Sequence, residues 1–387
     1  MAQASRSLAR PPLVDLLVRR IQSSGPMTFA DYMRECLYHP LYGYYSRAES
    51  RRFADYYTSV DVHPIFGRLI ARQLAEMWEA LGKPECFCVV EAGAGTGRLA
   101  GHILDFARGE LSSFYAAVRY IAVERSAARR EAHAAQLARH LDAGRCVSAA
   151  EIPAKIPEGC IFSNELLDAL SVHRVICRNG ALHEVFVGLR DDALCERIAP
   201  LSTCAIAEYF AALGVHLAEG QQAEAGLEAC DWIREIARRL GRGFVMTIDY
   251  GHEAGELYNE RHLRGTMLAY RGHRSGEDFL ALPGEQDLTA HVNFSALDVW
   301  GRGAGLEKAG LVSQSSFLMA LGEGNEFADL YDAGQTETEK LRARLLLKNL
   351  IFPEGMGETF QVMIQHKGMA RPRLTGLNFL SSAPRKI

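Results

Sequence analysis

A glycine-rich turn at residues 91–97, Glu-Ala-Gly-Ala-Gly-Thr-Gly, is the first segment whose residue types indicate chemistry. Glycines let the backbone take positive φ angles and approach a ligand closely. The spacing G-x-G-x-G differs from the G-x-G-x-x-G of a dinucleotide fingerprint, whose helix N-terminus holds a pyrophosphate. The carboxylate of Glu91 would repel a pyrophosphate but suits the cationic amino-acid end of S-adenosylmethionine (SAM). The turn therefore favours SAM over a dinucleotide such as NAD, and the alternative is a plain strand–helix turn.

A second acidic residue, Glu124, ends the next apolar run, residues 120–123. In nucleotide-binding sheets an acidic side chain at this point accepts hydrogen bonds from ribose hydroxyls. Glu124 lies further from the glycines than the ~20 residues of the dinucleotide pattern, which again favours SAM. We predict SAM as the cofactor. The predicted cofactor-binding residues of this region are Glu91, Gly93, Gly95, Gly97, Glu124 and Asn164.

Four apolar runs each end in a polar residue, and stretches of helical periodicity separate them. The runs cover residues 86–90, 120–123, 160–163 and 243–248, and they end in Glu91, Glu124, Asn164 and Asp249. Helical periodicity covers residues 98–107 and 126–141. Apolar strands that alternate with helices predict a parallel sheet with helices on both faces, whose ligands bind beyond the carboxyl ends of the strands. The predicted fold class is therefore α/β, with a Rossmann-like core.

The composition excludes several classes of protein. The chain has 387 residues, a formal net charge of −4, 48% hydrophobic residues and 23% charged residues. These values are typical of globular proteins, so a disordered protein and a coiled coil are excluded. The near-neutral charge argues against sequence-independent nucleic-acid binding, which needs a basic surface. No window reaches the ~18 apolar residues of a membrane span, so we predict a soluble protein.

Nine cysteines occur without a C-x-x-C spacing. Their odd number, the length of the chain and the lack of a signal peptide predict reduced thiols and no metal site. Basic residues dominate the first 22 positions, which is also typical of a mitochondrial presequence. The apolar spacing over residues 12–22 favours a helix instead. We predict a bacterial cytoplasmic location, with the mitochondrial matrix as the alternative.

Long segments lie outside the predicted core. The segment before residue 86 is irregular and rich in tyrosine, with a helix predicted at residues 64–81. Further on, two strand-like runs flank Asn179-Gly180, a strong signal for a β-hairpin. We predict an N-terminal helical and Tyr-rich extension, residues 1–85, and a SAM-binding domain, residues 86–387. The latter contains a hairpin insertion at about 171–242 and a substrate-side segment at about 252–294.

Several longer blocks resemble the MidA family. They are His-Pro-Leu-Tyr-Gly-Tyr-Tyr (39–45), Asp-Tyr-Tyr-Thr-Ser (55–59), Asn-Glu-Leu-Leu-Asp-Ala-Leu (164–170), Ile-Asp-Tyr-Gly (248–251) and Gly-Glu-Gln-Asp-Leu-Thr-Ala-His (284–291). The likeness covers nearly the whole chain, and the blocks at 164–170 and 284–291 are the most specific. The chain departs from the family pattern at Ala54, Val60 and Ser171, where members usually have glycine, proline and proline.

The resemblance implies a class I SAM-dependent methyltransferase core and a protein-arginine N-methyltransferase of bacteria or mitochondria. It further implies that the enzyme acts on a core subunit of respiratory complex I during assembly of the complex. No nucleic-acid partner is expected, and a homodimer is left open. Two rival functions remain: a SAM-binding assembly chaperone with little turnover, and a small-molecule methyltransferase.

An arginine acceptor would need carboxylates nearby, because a guanidinium stays protonated at any accessible pH. Carboxylates fork onto a guanidinium and can direct one nitrogen towards the methyl group. For this role we predict Asn164, Glu165 and Asp168, which follow the third apolar run. Glu165 and Asp168 are three residues apart and would share a face if this segment is helical. The alternative for Asp168 is an ion pair with Arg174.

Asp287 and His291 form the next candidate catalytic pair. Because they are four residues apart, they would share a helical face, or Asp287 would orient His291 as a proton acceptor. Thr58 and Ser59 are expected to reach the SAM carboxylate through hydroxyl and backbone donors. The tyrosines at 42–45 would either clamp a peptide or pack the N-terminal segment.

Overall fold

The computed structural model describes residues 11–46, 64–272, 274–331, 335–351 and 360–378. The chain forms two compact units, and each is assembled from three segments. The first unit contains Met1–Tyr56, Ala169–Leu227 and Tyr258–Ala290, and the second contains Tyr57–Asp168, Glu228–Leu257 and His291–Ile387. Each unit has a hydrophobic core of its own.

The strands are numbered in chain order. They are β1 Met27–Thr28, β2 Phe87–Ala92, β3 Val118–Val123, β4 Cys146–Ala149, β5 Ile156–Asn164, β6 His173–Arg178, β7 Ala181–Arg190, β8 Ala193–Ala199, β9 Gln222–Ala225, β10 Leu240–His252, β11 Leu268–Arg271, β12 Arg274–Gly276, β13 Asp287–Thr289, β14 Val292–Asn293, β15 Glu307–Ser313 and β16 Phe360–Lys367.

The helices are identified by their residue ranges. The α-helices are Pro12–Ser24, Phe29–Tyr38, Ile65–Ala80, Arg98–Glu110, Ser112–Ala117, Ala127–Arg130, His133–Gln136, Ala138–Asp142, Cys204–Ala212, Leu227–Arg239, Ala254–Leu257, Phe294–Gly303, Gln314–Glu323 and Glu337–Ile351. Short 3-10 helices lie at Glu260–His262, Ala328–Leu330 and Thr375–Leu377.

A mostly parallel sheet forms the centre of the second unit, in the order β15-β16-β10-β5-β2-β3-β4. Strands β10, β5, β2, β3 and β4 run parallel, whereas β16 pairs antiparallel with both β10 and β15. Strands β2, β3, β5 and β10 are largely buried, which explains why the sequence shows continuous apolar runs rather than alternation, whereas β4 at the end of the sheet is half exposed. The α/β prediction is confirmed. Because β10, β5, β2 and β3 are parallel neighbours, Glu91, Glu124, Asn164 and Asp249, which lie at or near the carboxyl ends of these strands, are on the same side of the sheet.

The core of the second unit is built from large aromatic side chains. Phe87, Phe162 and Phe244 from the sheet and Phe66 from the helix Ile65–Ala80 are completely buried. This helix lies where the apolar spacing predicts it, since its buried residues form one stripe along the helix. It belongs to the second unit.

The helix predicted over residues 126–141 is wrong, because the structure has three short helices there: Ala127–Arg130, His133–Gln136 and Ala138–Asp142. The alanine-rich sequence favours one continuous helix. However, the backbone leaves helical geometry at Leu137, with φ −114° and ψ 9°, and the Leu137 side chain is completely buried. Buried histidines on either side of it bind other elements. These tertiary contacts override the local propensity.

Antiparallel strands dominate the first unit, in the order β1-β7-β6-β9, with β8 also paired with β7. The predicted hairpin is confirmed: β6 and β7 pair up to Arg178 opposite Ala181. The two residues of its turn, Asn179 and Gly180, have φ angles of +53° and +72°. Positive φ at both positions is what a type I′ hairpin turn requires. A second antiparallel sheet has the order β12-β11-β13.

Besides the helices predicted in the N-terminal extension, Phe29–Tyr38 form a helix in a stretch that was predicted to be irregular. The side chain of Thr28 caps it, accepting a hydrogen bond from the amide of Asp31 at 3.1 Å. Thr-x-x-Asp is an N-cap signal that the sequence carries. The helix buries Phe29 and Tyr32 in the core of the first unit.

Within the described ranges, no helix is both long enough and apolar enough to cross a membrane. The same part of the chain brings no three His, Cys, Asp or Glu side chains together in a way that could hold a metal ion. All nine cysteines are free thiols.

Candidate active site

The glycine turn after β2 depends on its glycines for two different reasons. Gly93, Gly95 and Gly97 have φ angles of +78°, +57° and +83°, which side chains disfavour. A Cβ atom at Gly93 would also lie 3.0 Å from the Cδ1 atom of Leu166. At Gly95, by contrast, a Cβ atom would meet nothing within 4 Å. At Gly97 a Cβ atom would lie 3.1 Å from the side chains of His133 and Leu137, so the turn is packed at both ends and open in its middle, where a ligand can approach the backbone.

Glu124, at the end of β3, holds the open part of this turn. One carboxylate oxygen accepts a hydrogen bond from the amide of Gly95 at 3.0 Å, and the other accepts from the amide of Ser126 at 2.8 Å. Each carboxylate oxygen has a second lone pair. The side chain can therefore fix the turn and still accept ribose hydroxyls, the role predicted for it.

Glu91 lies inside β2 rather than beyond its end. Its carboxyl group is buried, and an oxygen accepts a hydrogen bond from the Tyr120 hydroxyl at 2.7 Å. Burial raises the pKa of Glu91 to about 7, while the hydrogen bond from Tyr120 lowers it and the negative charge of Glu124 raises it slightly further. A cationic ligand group would stabilise the ionised form. Contact with the SAM amino group stays a prediction.

Asn164 and Glu165, at the end of β5, present hydrogen-bond acceptors beside the glycine turn. The amide nitrogen of Asn164 donates to a Glu165 carboxylate oxygen at 3.1 Å. The amide oxygen of Asn164 is buried and has no hydrogen-bond partner among the described residues. An unsatisfied buried acceptor is costly. This edge of the sheet therefore fits a ligand that brings N–H donors, such as an ammonium or a guanidinium.

Asp249, on β10, fixes the chain that follows Asn164. One carboxylate oxygen accepts from the amides of Leu166 and Leu167, at 3.1 and 2.8 Å, and the other accepts from the amide of Tyr250 at 3.0 Å. Burial, opposed by these hydrogen bonds and assisted by the charge of Glu165, raises the pKa of Asp249 to about 7.

The segment from Glu165 to Asp168 is a turn and not a helix. Glu165 has a φ angle of +51°, in the left-handed region, and its amide donates to the carbonyl of Ile248 at 3.0 Å. The predicted helical face shared by Glu165 and Asp168 is therefore wrong. Asp168 is 5% exposed, and Arg174, its alternative partner from sequence, forms an ion pair with Glu196 within the first unit.

Asp287 and His291 do not share a helical face, because Asp287–Thr289 form β13 and the following helix begins at Phe294. Asp287 belongs to the first unit, where its carboxylate accepts a hydrogen bond from the Tyr45 hydroxyl at 2.8 Å. His291 belongs to the second unit, and its ring centroid lies 5.5 Å from that of His252. Their catalytic roles stay predictions.

The remaining predicted residues lie near the N-terminus. Thr58 and Ser59 lie outside the described residues. Among the tyrosines, Tyr44 is 4% exposed and packs in the core of the first unit, and its ring lies edge-on to Tyr45. Tyr44 therefore packs the N-terminal segment, which was one of the two interpretations of this cluster.

His133 was missed by the sequence analysis. Its ring lies 2.9 Å from the carbonyl oxygen of Gly95 and 2.8 Å from the hydroxyl of Ser148. A histidine inside an alanine-rich stretch that follows Glu124 was the available signal, but its partners are far away in the sequence.

Comparison with known proteins identifies the family. A family model described as "Putative S-adenosyl-L-methionine-dependent methyltransferase" matches residues 69–312. The mitochondrial protein arginine methyltransferase NDUFAF7 of Homo sapiens is 30% identical over 378 residues, which cover 90% of this chain and 82% of the relative. The corresponding protein of Mus musculus is 29% identical, covering 90% of this chain and 83% of the relative.

A solved structure agrees with this result. A protein from Burkholderia thailandensis, described as a "likely methyl transferase" and bound to S-adenosyl-homocysteine, is 32% identical and superposes with a TM-score of 0.83. The match covers 94% of each chain. The predicted fold, cofactor and enzyme class are confirmed, as is the resemblance to the MidA family. This chain belongs to a family of SAM-dependent methyltransferases.

Proposed function

We propose that this SAM-dependent methyltransferase methylates an arginine of a protein, and that its substrate is a core subunit of respiratory complex I. The observation that carries the first part is the pair of acceptors at the end of β5, the unpartnered amide oxygen of Asn164 and the carboxylate of Glu165. The names of the human and mouse relatives, which are protein arginine methyltransferases, support it. The complex I substrate rests on the resemblance to the MidA family.

The residues at this edge of the sheet are proposed to bind two cations, the sulfonium of SAM and the guanidinium of the substrate arginine. When bound, SAM supplies an electrophilic methyl group on its sulfonium. We assign the glycine turn, Glu124 and Glu91 to holding it. Asn164 and Glu165 hold the guanidinium with one nitrogen directed towards the methyl group. As that nitrogen takes up the methyl group and S-adenosylhomocysteine leaves, it passes one proton to the Glu165 carboxylate, so no strong base is needed beforehand.

Three further predictions belong to this proposal. Asp168, Asp287 and His291 are proposed to assist at the acceptor, and Thr58 and Ser59 at the SAM carboxylate. The segments 1–85, 171–242 and 252–294 are proposed to serve the protein substrate. We propose a bacterial cytoplasmic location, with the mitochondrial matrix as the alternative because the curated relatives are mitochondrial proteins.

The test is methylation of a complex I–containing lysate with isotope-labelled SAM, followed by peptide mapping of the label. We expect the label on an arginine of a complex I core subunit. Label on a small molecule, or on protein residues other than arginine, would contradict the proposal. An absence of any transfer together with tight SAM binding would favour the chaperone.

The Glu165→Gln variant tests the acceptor site. We expect methylation to fall at least ~100-fold, because a neutral amide no longer pairs with the guanidinium, while S-adenosylhomocysteine affinity stays within ~3-fold. Glu158→Gln is the matched control, since Glu158 lies on β5, the strand that leads to Glu165, and pairs with Arg242 in a partly exposed ion pair. Its loss should cost little. Equal methylation by Glu165→Gln and Glu158→Gln would remove Glu165 from the acceptor site.

A further inference from the structure

His133 connects the glycine turn to the end of β4. The side chain is 1% exposed. Nε2 lies 2.9 Å from the carbonyl oxygen of Gly95, and Nδ1 lies 2.8 Å from the hydroxyl oxygen of Ser148. A carbonyl oxygen can only accept a hydrogen bond. Nε2 therefore carries a hydrogen and donates a hydrogen bond to the carbonyl oxygen of Gly95. In the neutral ring Nδ1 is then the acceptor of the Ser148 hydroxyl.

Gly95 is thus held at both of its polar backbone groups by side chains. Its amide donates to Glu124 at 3.0 Å, and its carbonyl accepts from His133. On its Cβ side Gly95 is open, because an added Cβ atom would meet no described atom within 4 Å. Gly95 has a φ angle of +57°, in the left-handed region, and a glycine can adopt negative φ angles about as readily. Backbone hydrogen bonds fix the flanking residues Ala94 and Gly97, and the two side-chain hydrogen bonds hold Gly95 itself.

We propose that His133 is a positioning residue for SAM binding, which holds the glycine turn in its ligand-ready conformation before the cofactor arrives. Ser148 supports it by fixing the orientation of the ring. This role concerns the cofactor and is independent of which substrate receives the methyl group. Without the hydrogen bond, binding has to order the turn, and this ordering reduces affinity.

The test measures S-adenosylhomocysteine binding by isothermal titration calorimetry with the full chain. For His133→Leu we expect the Kd to rise about 10-fold, the effect of one hydrogen bond of ordinary strength. For His133→Gln we expect a Kd within ~3-fold of the parent, because the glutamine amide can donate to Gly95 in place of Nε2. Rescue by glutamine separates the hydrogen bond from the packing of the ring.

His140→Leu is the matched control. His140 is also almost fully buried, and its ring binds Tyr115 at 2.9 Å and Asp105 at 3.2 Å. Its substitution should lower the melting temperature as His133→Leu does, but leave the Kd unchanged. If His133→Leu binds S-adenosylhomocysteine as tightly as the parent, or if His133→Gln binds as weakly as His133→Leu, the proposal is overturned.

Ser148→Ala provides a second, milder test that keeps the histidine in place. We expect the Kd to rise about 2–3-fold with little change in melting temperature, because only the orientation of the ring is loosened. If His133→Leu does not fold, this variant decides: an unchanged Kd for Ser148→Ala then overturns the proposal.

Discussion

The carboxyl group of Glu91 is buried in the folded protein, which destabilises its ionised form. Burial raises its pKa to about 7, well above the ~4.3 of an exposed glutamate. The folded state therefore binds this proton more tightly than the unfolded state does. The contribution of Glu91 to stability is greatest below about pH 4 and decreases as the pH rises towards 7. A buried acid that destabilises its own fold at neutral pH is typical of a functional site.

Glu91→Gln should therefore stabilise the folded protein at pH 8 and weaken its binding of S-adenosylhomocysteine. At pH 8 we expect the melting temperature to rise by roughly 1–3 °C, because no charge is buried. At pH 4 the two proteins should melt alike. We expect S-adenosylhomocysteine affinity at pH 8 to fall about 10-fold, because the ammonium group loses its carboxylate partner. Calorimetry and thermal denaturation at both pH values test this, and an unchanged affinity would remove Glu91 from the cofactor site.

At the scale of elements, the turn after β5 takes its shape from a strand that comes much later in the chain. Asp249 of β10 binds the amides of Leu166 and Leu167, and the carbonyl of Ile248 binds the amide of Glu165. These contacts hold Glu165 at a φ angle of +51°, a conformation that an isolated chain rarely keeps. The neighbouring strand therefore orients the residues that we propose hold the acceptor.

Asp249→Asn should release this turn. Asparagine has one acceptor oxygen and cannot serve all three amides, so at least one buried donor is left unpaired, at a cost of about 1–3 kcal/mol. We expect faster amide hydrogen exchange in residues 164–170 and at least a ~10-fold loss of methyl transfer. Asp298→Asn is the control, since Asp298 is also buried but pairs with Arg302 in a helix. Equal exchange at 164–170 in both variants would contradict this role of Asp249.

The same elements explain what could be predicted from the sequence. Four of the five parallel strands were predicted because burial on both faces leaves continuous apolar runs, whereas the half-exposed β4 was not, and Asn179-Gly180 fixes its hairpin locally. The turn at 165–168 was predicted wrongly as a helix because its hydrogen bonds come from Asp249. His133 was missed for the same reason, since its partners Gly95 and Ser148 lie on other elements. Local patterns predict local structure, and the candidate site depends mostly on distant pairs.

At the scale of the whole molecule, each compact unit consists of three chain segments with a core of its own. The predicted cofactor-binding residues that the structure describes lie in the second unit. The first unit has a distinct core, in which the guanidinium of Arg174 lies 4.9 Å from the ring centroids of both Phe29 and Phe279. Because the chain passes repeatedly between the units, neither can form completely before distant segments have come together.

We therefore expect one cooperative thermal transition that reports on both units. S-adenosylhomocysteine at 100 times its Kd should stabilise the chain by about 2.7 kcal/mol, which raises the melting temperature by about 3 °C. Phe279→Ala should lower the same transition by roughly 3–6 °C, because it empties space in the core of the first unit. Differential scanning calorimetry measures both shifts. Two separate transitions, one moved by the ligand and the other by Phe279→Ala, would show that the units unfold independently.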